Sequence, residues 1–147
     1  MQRRQSGPRW GSGDALLASL ISSYNTWTAT AGYQPDCKRW VDYFLKDNEI
    51  TSYDGCANDM AEALSREYVG LTFEEAVEAA NTGGLVIVAW FNSGDSGHVG
   101  FLRPGSSANA REAYLVQSSK GGVGRPHLLG TKVPMVGISG AFRNPVV

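Results

Sequence analysis

A continuous apolar run, Leu85–Phe91, divides the chain into two parts of different character. Before it, apolar residues recur at helical spacing; after it, short apolar segments are separated by turn residues. The run is far too short to cross a membrane and is typical of a buried strand. Helices followed by strands predict an α+β domain, in which N-terminal helices pack on a small antiparallel sheet.

We predict four helices, each beginning at a residue that can cap it. Their predicted starts are Asp14 for a helix running to Tyr24, Asp36 or Cys37 for the second, Asn58 for the third, and the capping box Thr72-Phe73-Glu74-Glu75 for a fourth that ends at Gly83-Gly84. Further strands are predicted over Val99–Leu102, Tyr114–Gln117 and Val133–Ser139, and these would form an antiparallel meander.

The composition is that of one globular domain. The 147 residues are 42% hydrophobic and 18% charged, which argues against disorder. The net charge is −1, so we expect no nucleic-acid partner. We expect residues 1–13 to be a flexible leader and residues 14–147 a single domain. We also expect a monomer with no membrane insertion and no secretory signal peptide.

Cys37 is the first candidate for chemistry. It lies in Asp36-Cys37-Lys38-Arg39-Trp40, where a loop becomes an amphipathic helix. A helix N-terminus carries about half a positive charge, which favours thiolate over thiol and lowers the pKa of a cysteine below about 8.5. We therefore predict that Cys37 is a nucleophile; the alternative is a small buried hydrophobic residue.

A histidine much further along the chain supplies the matching base. His98 lies in Ser96-Gly97-His98-Val99-Gly100, between a turn and a short apolar strand, beside glycines that permit close approach. A histidine within hydrogen-bond reach activates a cysteine. The alternative for His98 is a solvated turn residue. His127, in Arg125-Pro126-His127, is predicted to be exposed.

A third polar group must orient the imidazole. Gln117, at the end of a predicted strand, can do so through its side-chain carbonyl, or it can simply be a polar residue that ends the strand. Asp95, shortly before His98, is the other candidate. We expect no cofactor and no metal, because the cysteines and histidines lack the spacing of a metal site.

Cys56 also precedes a predicted helix. Because Asn58 or Asp59 is the better cap, we predict that Cys56 is a structural residue in the turn. Two cysteines are too few for a disulfide framework, and the sequence leaves open whether Cys37 and Cys56 pair.

Three segments together resemble the NlpC-type papain-like cell-wall peptidases. They are Asp36-Cys37-Lys38-Arg39-Trp40, Gly97-His98-Val99-Gly100 and Val116-Gln117-Ser118-Ser119-Lys120-Gly121-Gly122, within a likeness that extends from about Gly32 to Val123. In that family an Asp-Cys-Ser-Gly-Phe-type motif opens a helix, a Gly-His-Val-Gly strand follows, and a polar residue ends the next strand. The resemblance implies a papain-like fold with Cys37, His98 and Gln117 as catalytic residues.

Within that family the chain most resembles the small amidase effectors of type VI secretion systems. The likeness includes Ala57-Asn58-Asp59-Met60-Ala61 and the strand Leu85-Val86-Ile87. It implies cleavage of peptidoglycan stem peptides, typically between D-glutamate and meso-diaminopimelate. It also implies export by a dedicated secretion system, action in the periplasm of a target cell, and a cognate immunity protein that plugs the cleft.

We predict that Tyr33, Asp36, Lys38 and Gly97 bind substrate. In the family, upstream aromatic residues serve as a second oxyanion donor or a substrate contact, which the resemblance implies for Tyr33; the alternative is loop packing. The chain departs from the family where Lys38 and Arg39 replace a small Ser-Gly pair. These charged residues would reshape the cleft floor or attract the carboxylates of a stem peptide.

Other functions fit the same residues. A phage or bacterial lysin, or a CHAP-type amidase, would use the same dyad on a different bond. A catalytically inactive wall-binding module, or a structural component in which Cys37 is merely buried, would use no dyad at all.

Overall fold

The computed structural model describes residues 9–30, 32–33, 36–68, 70–91, 93–94, 96–106, 114–118, 131–132 and 140–143. Across these residues four helices precede five strands. They are α1 (Gly13–Thr28), α2 (Cys37–Asp47), α3 (Ala57–Glu67), α4 (Phe73–Asn81), β1 (Val86–Trp90), β2 (His98–Leu102), β3 (Tyr114–Val116), β4 (Thr131–Lys132) and β5 (Gly140–Arg143). The predicted α+β class is confirmed.

The described strands form one antiparallel sheet in the order β4-β3-β2-β1-β5. Strands β1, β2 and β3 follow one another as the predicted meander. Strand β4, which we did not predict, continues it, whereas β5, also not predicted, returns to the opposite edge and pairs with β1. The register places His98 opposite Trp90 and Phe101 opposite Ile87. The predicted strand Val133–Ser139 lies outside the described residues.

Helix α1 begins earlier and ends later than predicted. Its cap is Ser12 and not Asp14, because Ser12 Oγ accepts the N–H of Ala15 at 3.1 Å. The helix continues past Tyr24 to Thr28. The reason is that the apolar stripe of the helix continues past Tyr24 to Trp27. Its buried side chains are Leu16, Leu20, Tyr24 and Trp27.

Residues 9–13 belong to the folded domain and not to the leader in which we placed them. Trp10 stacks on Phe44 with ring centroids 5.9 Å apart, and its backbone N–H donates to the carbonyl of Gly83 at 3.1 Å. Gly13 lies so close to α4 that an added Cβ would be 2.6 Å from the carbonyl oxygen of Asn81. Residues 1–8 of the predicted leader lie outside the described residues.

The caps of α3 and α4 differ in how well they were predicted. Helix α3 is capped by Cys56 and not by Asn58, because the carboxylate of Asp59 accepts the N–H of Cys56 at 2.9 Å. The capping box of α4 is confirmed: Thr72 Oγ1 accepts the N–H of Glu75 at 3.2 Å, and Glu75 accepts the N–H of Thr72 at 3.0 Å.

An aromatic core holds α2 against the sheet. Trp40 and Phe44 of α2 and Phe101 of β2 are fully buried. The rings of Trp40 and Phe101 meet edge to face at a centroid distance of 6.2 Å, and those of Phe44 and Phe101 lie 5.0 Å apart. Such pairs each contribute roughly 0.5–1.5 kcal/mol beyond the area they bury. This packing fixes the two elements that begin with Cys37 and His98.

Candidate active site

Cys37 is the first residue of α2, as predicted. Asp36 caps the helix, and its Oδ1 accepts the N–H groups of Lys38 at 3.0 Å and Arg39 at 3.2 Å. The cap satisfies donors that a helix start otherwise leaves without partners. It also leaves the thiol of Cys37 at the positive end of the helix.

The thiol of Cys37 does not have the lowered pKa that we predicted. Burial raises the pKa of the Cys37 thiol above its ordinary value, and the nearby carboxylate of Asp36 raises it further. Backbone hydrogen bonds, from Val99 above all and also from Lys38, act in the opposite direction but are outweighed. Desolvation disfavours the charged form of a group, and here it is the largest influence on the pKa of the thiol.

His98 and Gln117 are brought together. His98 is the first residue of β2, and its Nε2 hydrogen-bonds Oε1 of Gln117, which directly follows β3. The Gln117 side chain is buried, at 6% exposure. Because an amide oxygen only accepts, Nε2 is the donor in this bond, which in a neutral ring leaves the lone pair on Nδ1. This is the tautomer control predicted for the third residue; Asp95, the other candidate, lies outside the described residues, as does His127.

Val99 links the two halves of the site. Val99 directly follows His98, and its backbone lies close enough to the thiol of Cys37 to lower the pKa of that thiol. Strand β3 pairs with β2 only at Phe101 and Leu102, among the described residues. The start of β2 therefore lies beyond the described pairing with β3, where Gln117 approaches it.

The turn before His98 is anchored on α3. The backbone N–H of Asn58, in the first turn of α3, donates to the carbonyl of Ser96 at 2.7 Å. Gly97 follows with φ at 79°, a left-handed conformation that glycine adopts without strain. The fold thus supplies a backbone reason for glycine at Gly97, and its predicted contact with substrate stays a prediction.

Gly100 lets the strand end that carries Gln117 approach β2 closely. A Cβ added at Gly100 would lie 3.3 Å from Cβ of Gln117 and 3.2 Å from the carbonyl oxygen of Val116. The sequence alone indicates only that the glycines near His98 permit close approach of another part of the chain. The structure identifies which glycine does so and what approaches it.

Lys38 does not take the position that we predicted. Its side chain is buried, and its ammonium group lies 2.8 Å from the carboxylate of Asp42 and donates to the carbonyl of Tyr53. The prediction that Lys38 attracts substrate carboxylates is wrong, because its charge already has a carboxylate partner inside the fold. The carboxylate of Asp36 caps α2, and a substrate contact for it stays a prediction.

Tyr33 packs on the aromatic core. Its ring meets that of Trp27 edge to face, with centroids 4.7 Å apart. The loop-packing alternative is therefore part of its role. Tyr33 Oη is buried and has no hydrogen-bond partner among the residues that the structure describes. Its use as an oxyanion donor stays a prediction.

Sequence reasoning missed one residue of the site, Ser118. Its side chain is fully buried, and its Oγ accepts the backbone N–H of Asp36 at 3.2 Å. The only signal in the sequence is its place directly after Gln117. Nothing in that pattern indicates a partner so far away along the chain.

Cys37 and Cys56 are both free thiols and both half-buried. In the described part of the chain, no group of three or more His, Cys, Asp or Glu side chains could hold a metal ion. No helix within those ranges is long and apolar enough to cross a membrane.

Models of known protein families and the sequences of curated proteins give no match to this chain. The class is therefore defined by geometry alone. It is a mixed α+β domain in which Cys37 begins a helix beside a strand that begins with His98, and Gln117 holds the imidazole.

Proposed function

We propose that this protein is a papain-like cysteine hydrolase that cleaves the stem peptides of peptidoglycan. The observation that carries the proposal is the hydrogen bond between His98 Nε2 and Gln117 Oε1. It orients a histidine whose neighbour, Val99, lies near the thiol of Cys37 and lowers the pKa of that thiol through its backbone. A nucleophile, a base and a group that orients the base are the three parts that a thiol hydrolase needs.

The proposed reaction begins with transfer of the thiol proton of Cys37 to His98. The sulfur then attacks the carbonyl carbon of a peptide bond, and the backbone N–H of Cys37, at the helix start, donates to the oxyanion. His98 gives its proton to the leaving amine, which departs from an acyl-enzyme. Water, deprotonated by His98, hydrolyses the thioester and restores the thiol.

The raised pKa of Cys37 makes His98 essential to this scheme. A buried thiol without a partner stays protonated at neutral pH. An adjacent imidazolium favours the thiolate by forming an ion pair with it. The reactive state is therefore the pair, and neither residue should support catalysis without the other.

The substrate and setting follow from the resemblance of the motifs and are part of the proposal. The bond is that between D-glutamate and diaminopimelate, cut in the periplasm of a target cell by an interbacterial type VI secretion effector. The partner that restrains it in the producing cell is a cognate immunity protein bound over the cleft.

A second candidate function is a catalytically inactive wall-binding module. The observation that favours it is the burial of the Cys37 thiol, which raises its pKa. Such a module would bind sacculi without releasing fragments. A lysin or CHAP-type amidase remains the enzyme alternative and would differ in the bond that it cuts.

The test is digestion of intact Gram-negative sacculi, with the released fragments identified by mass spectrometry. The wild type is compared with Cys37→Ala and His98→Ala, and with Cys56→Ser as a matched thiol control. Fragments cut after D-glutamate from the wild type and Cys56→Ser alone would support the proposal. Cleavage between glycan and L-alanine would support the amidase alternative, and intact sacculi in every sample would contradict hydrolysis of the wall.

A further inference from the structure

Ser118 connects two parts of the site that are far apart in sequence. Its fully buried hydroxyl accepts the backbone N–H of Asp36 at 3.2 Å. Buried polar groups are hydrogen-bonded as a rule, so the bond itself is ordinary. Its location is informative, because it joins the end of β3 to the start of α2.

The donor in this bond belongs to the residue that caps the nucleophile's helix. The carboxylate of Asp36 holds the N–H groups of Lys38 and Arg39. The carboxylate of Asp36 thereby ties this residue to the first turn of α2. An anchor on Asp36 therefore also limits the movement of Cys37.

The covalent neighbour of Ser118 holds the base. Gln117 directly precedes it and hydrogen-bonds His98. Because the two residues are consecutive, a displacement of the backbone at this point disturbs both side-chain contacts. One two-residue segment therefore holds the helix cap with one side chain and the imidazole with the other.

We propose that Ser118 is a positioning residue that sets the separation of Cys37 and His98 by anchoring Asp36 to the segment that orients His98. The inference rests on the proposed function, since it assumes that the two residues react as a pair. A misplacement of about 1 Å between reacting groups can cost about 10²-fold in rate. A buried hydrogen bond that prevents such a shift is thus of direct value to the site.

The test measures the reactivity of Cys37 without any cell-wall substrate. In a Cys56→Ser background, the rate of alkylation by iodoacetamide is followed from about pH 5 to pH 10, where thiols titrate, and peptide mass spectrometry assigns the label. Ser118→Ala is expected to move the profile to higher pH and lower the rate at pH 7 by about tenfold, the factor for one pKa unit. The expected cause is weaker stabilisation of the Cys37 thiolate by Val99 and His98.

The matched control is Ser106→Ala. Ser106 is also a buried serine, and its hydroxyl donates to the carbonyl of Arg103 at 2.7 Å, in the turn after β2. It should lose thermal stability with an unchanged alkylation profile. If Ser118→Ala does not fold, Ser118→Cys, which is close in size and accepts hydrogen bonds only weakly, should show the same shift at Cys37, with the label at position 118 distinguished from it by peptide mass spectrometry.

The outcomes separate the two proposals. An alkylation profile in folded Ser118→Ala or Ser118→Cys that matches the background would overturn the role of Ser118, whatever the change in Tm. If His98→Ala also matches the background, the dyad itself is absent and the proposed function fails. A shift in His98→Ala without a shift in the Ser118 variants leaves the function standing and removes only this inference.

Discussion

The ammonium group of Lys38 lies 2.8 Å from the carboxylate of Asp42, one turn further along the helix that begins with Cys37. The two side chains are 7% and 24% exposed. Lys38 also donates to the carbonyl of Tyr53, so the pair fastens the loop between α2 and α3 to the first turn of α2. One of the two charged residues that stand where the resembled family has Ser-Gly therefore has a structural role.

Replacing one partner of this pair should destabilise the protein. Lys38→Met leaves Asp42 without its cation, and breaking a fully buried pair costs about 3–5 kcal/mol. Because Asp42 is about a quarter exposed, we expect a smaller loss, about 2 kcal/mol in the free energy of unfolding. Urea denaturation measures it.

Two controls accompany this measurement. Arg39→Met removes the neighbouring exposed cation and should change the free energy of unfolding by less than about 0.5 kcal/mol. The double variant Lys38→Met, Asp42→Leu should recover much of the loss, because no unpaired charge remains. A double variant that is less stable than Lys38→Met would show that the pair itself, and not its desolvation, dominates.

Asp36 should influence the thiol through its charge and the helix through its cap. Asp36→Asn keeps a capping side chain but removes the charge that raises the pKa of Cys37. The thiol should become more acidic, and alkylation at neutral pH faster. Asp36→Ala also removes the charge but loses the cap, at a cost of about 0.5–2 kcal/mol. Alkylation rates of both variants measure the effect of the charge on the thiol, and urea denaturation measures the effect of the cap on stability. Equal free energies of unfolding for Asp36→Asn and Asp36→Ala would show that the Asp36 side chain does not stabilise the helix as a cap.

The burial of Cys37 should appear in the alkaline stability of the protein. A thiol whose pKa is raised by folding contributes stability that is complete below the unfolded pKa, about 8.5, and is lost as pH rises through the folded pKa. The wild type should therefore lose more stability than Cys37→Ala between about pH 7.5 and pH 10. Comparing the variants cancels the titration of lysines and tyrosines. An equal loss would mean that the thiol ionises as easily folded as unfolded.

Gln117→Ala should lower the rate of sacculus digestion by at least about tenfold, since general acid–base catalysis contributes about 10²–10⁴ and depends on an oriented imidazole. The variant should remain folded at the temperature of the digestion assay, so the lower rate would reflect the orientation of His98 and not unfolding. Fragment release and Tm are measured together. Undiminished digestion would remove Gln117 from the site.

Gly100→Ala should disturb the hydrogen bond between Gln117 and His98 by displacing the backbone at Gln117. The added methyl would lie 3.3 Å from Cβ of Gln117, so the strand end must shift by a few tenths of an ångström. We expect a loss of digestion rate of about threefold to tenfold, less than the 10²-fold that a 1 Å displacement can cost. Gly11→Ala, where nothing lies within 4 Å of the added Cβ, is the control and should digest sacculi like the wild type.

The elements that carry the site could be predicted because their signals are local. A capping residue before an amphipathic stripe placed Cys37 at the start of α2, and an apolar run after a glycine-rich turn placed His98 at the start of β2. Gln117 was found because it ends a short strand. Each inference needed only a few neighbouring residues.

What could not be predicted depends on packing between distant parts of the chain. The pKa of Cys37 was predicted with the wrong sign, because its burial against the core is not visible in the sequence. Lys38 was misplaced because its carbonyl partner, Tyr53, belongs to another segment. Cys56 was rejected as a cap because sequence rules rank Asn58 higher, although Asp59 completes the cap from inside the helix.

Strand β5 returns across the sheet to pair with β1, from Val86 opposite Arg143 to Ala89 opposite Gly140. An unpaired strand edge is a template on which another chain can add a strand. Without β5, that template would be the apolar strand β1, which is buried from Val86 to Ala89. Among the described strands, β5 forms this edge of the sheet, and it is only four residues long. Short edge strands are poorly suited to such pairing. Pairing with β5 therefore satisfies the backbone groups of β1 that could otherwise pair with another copy of the protein.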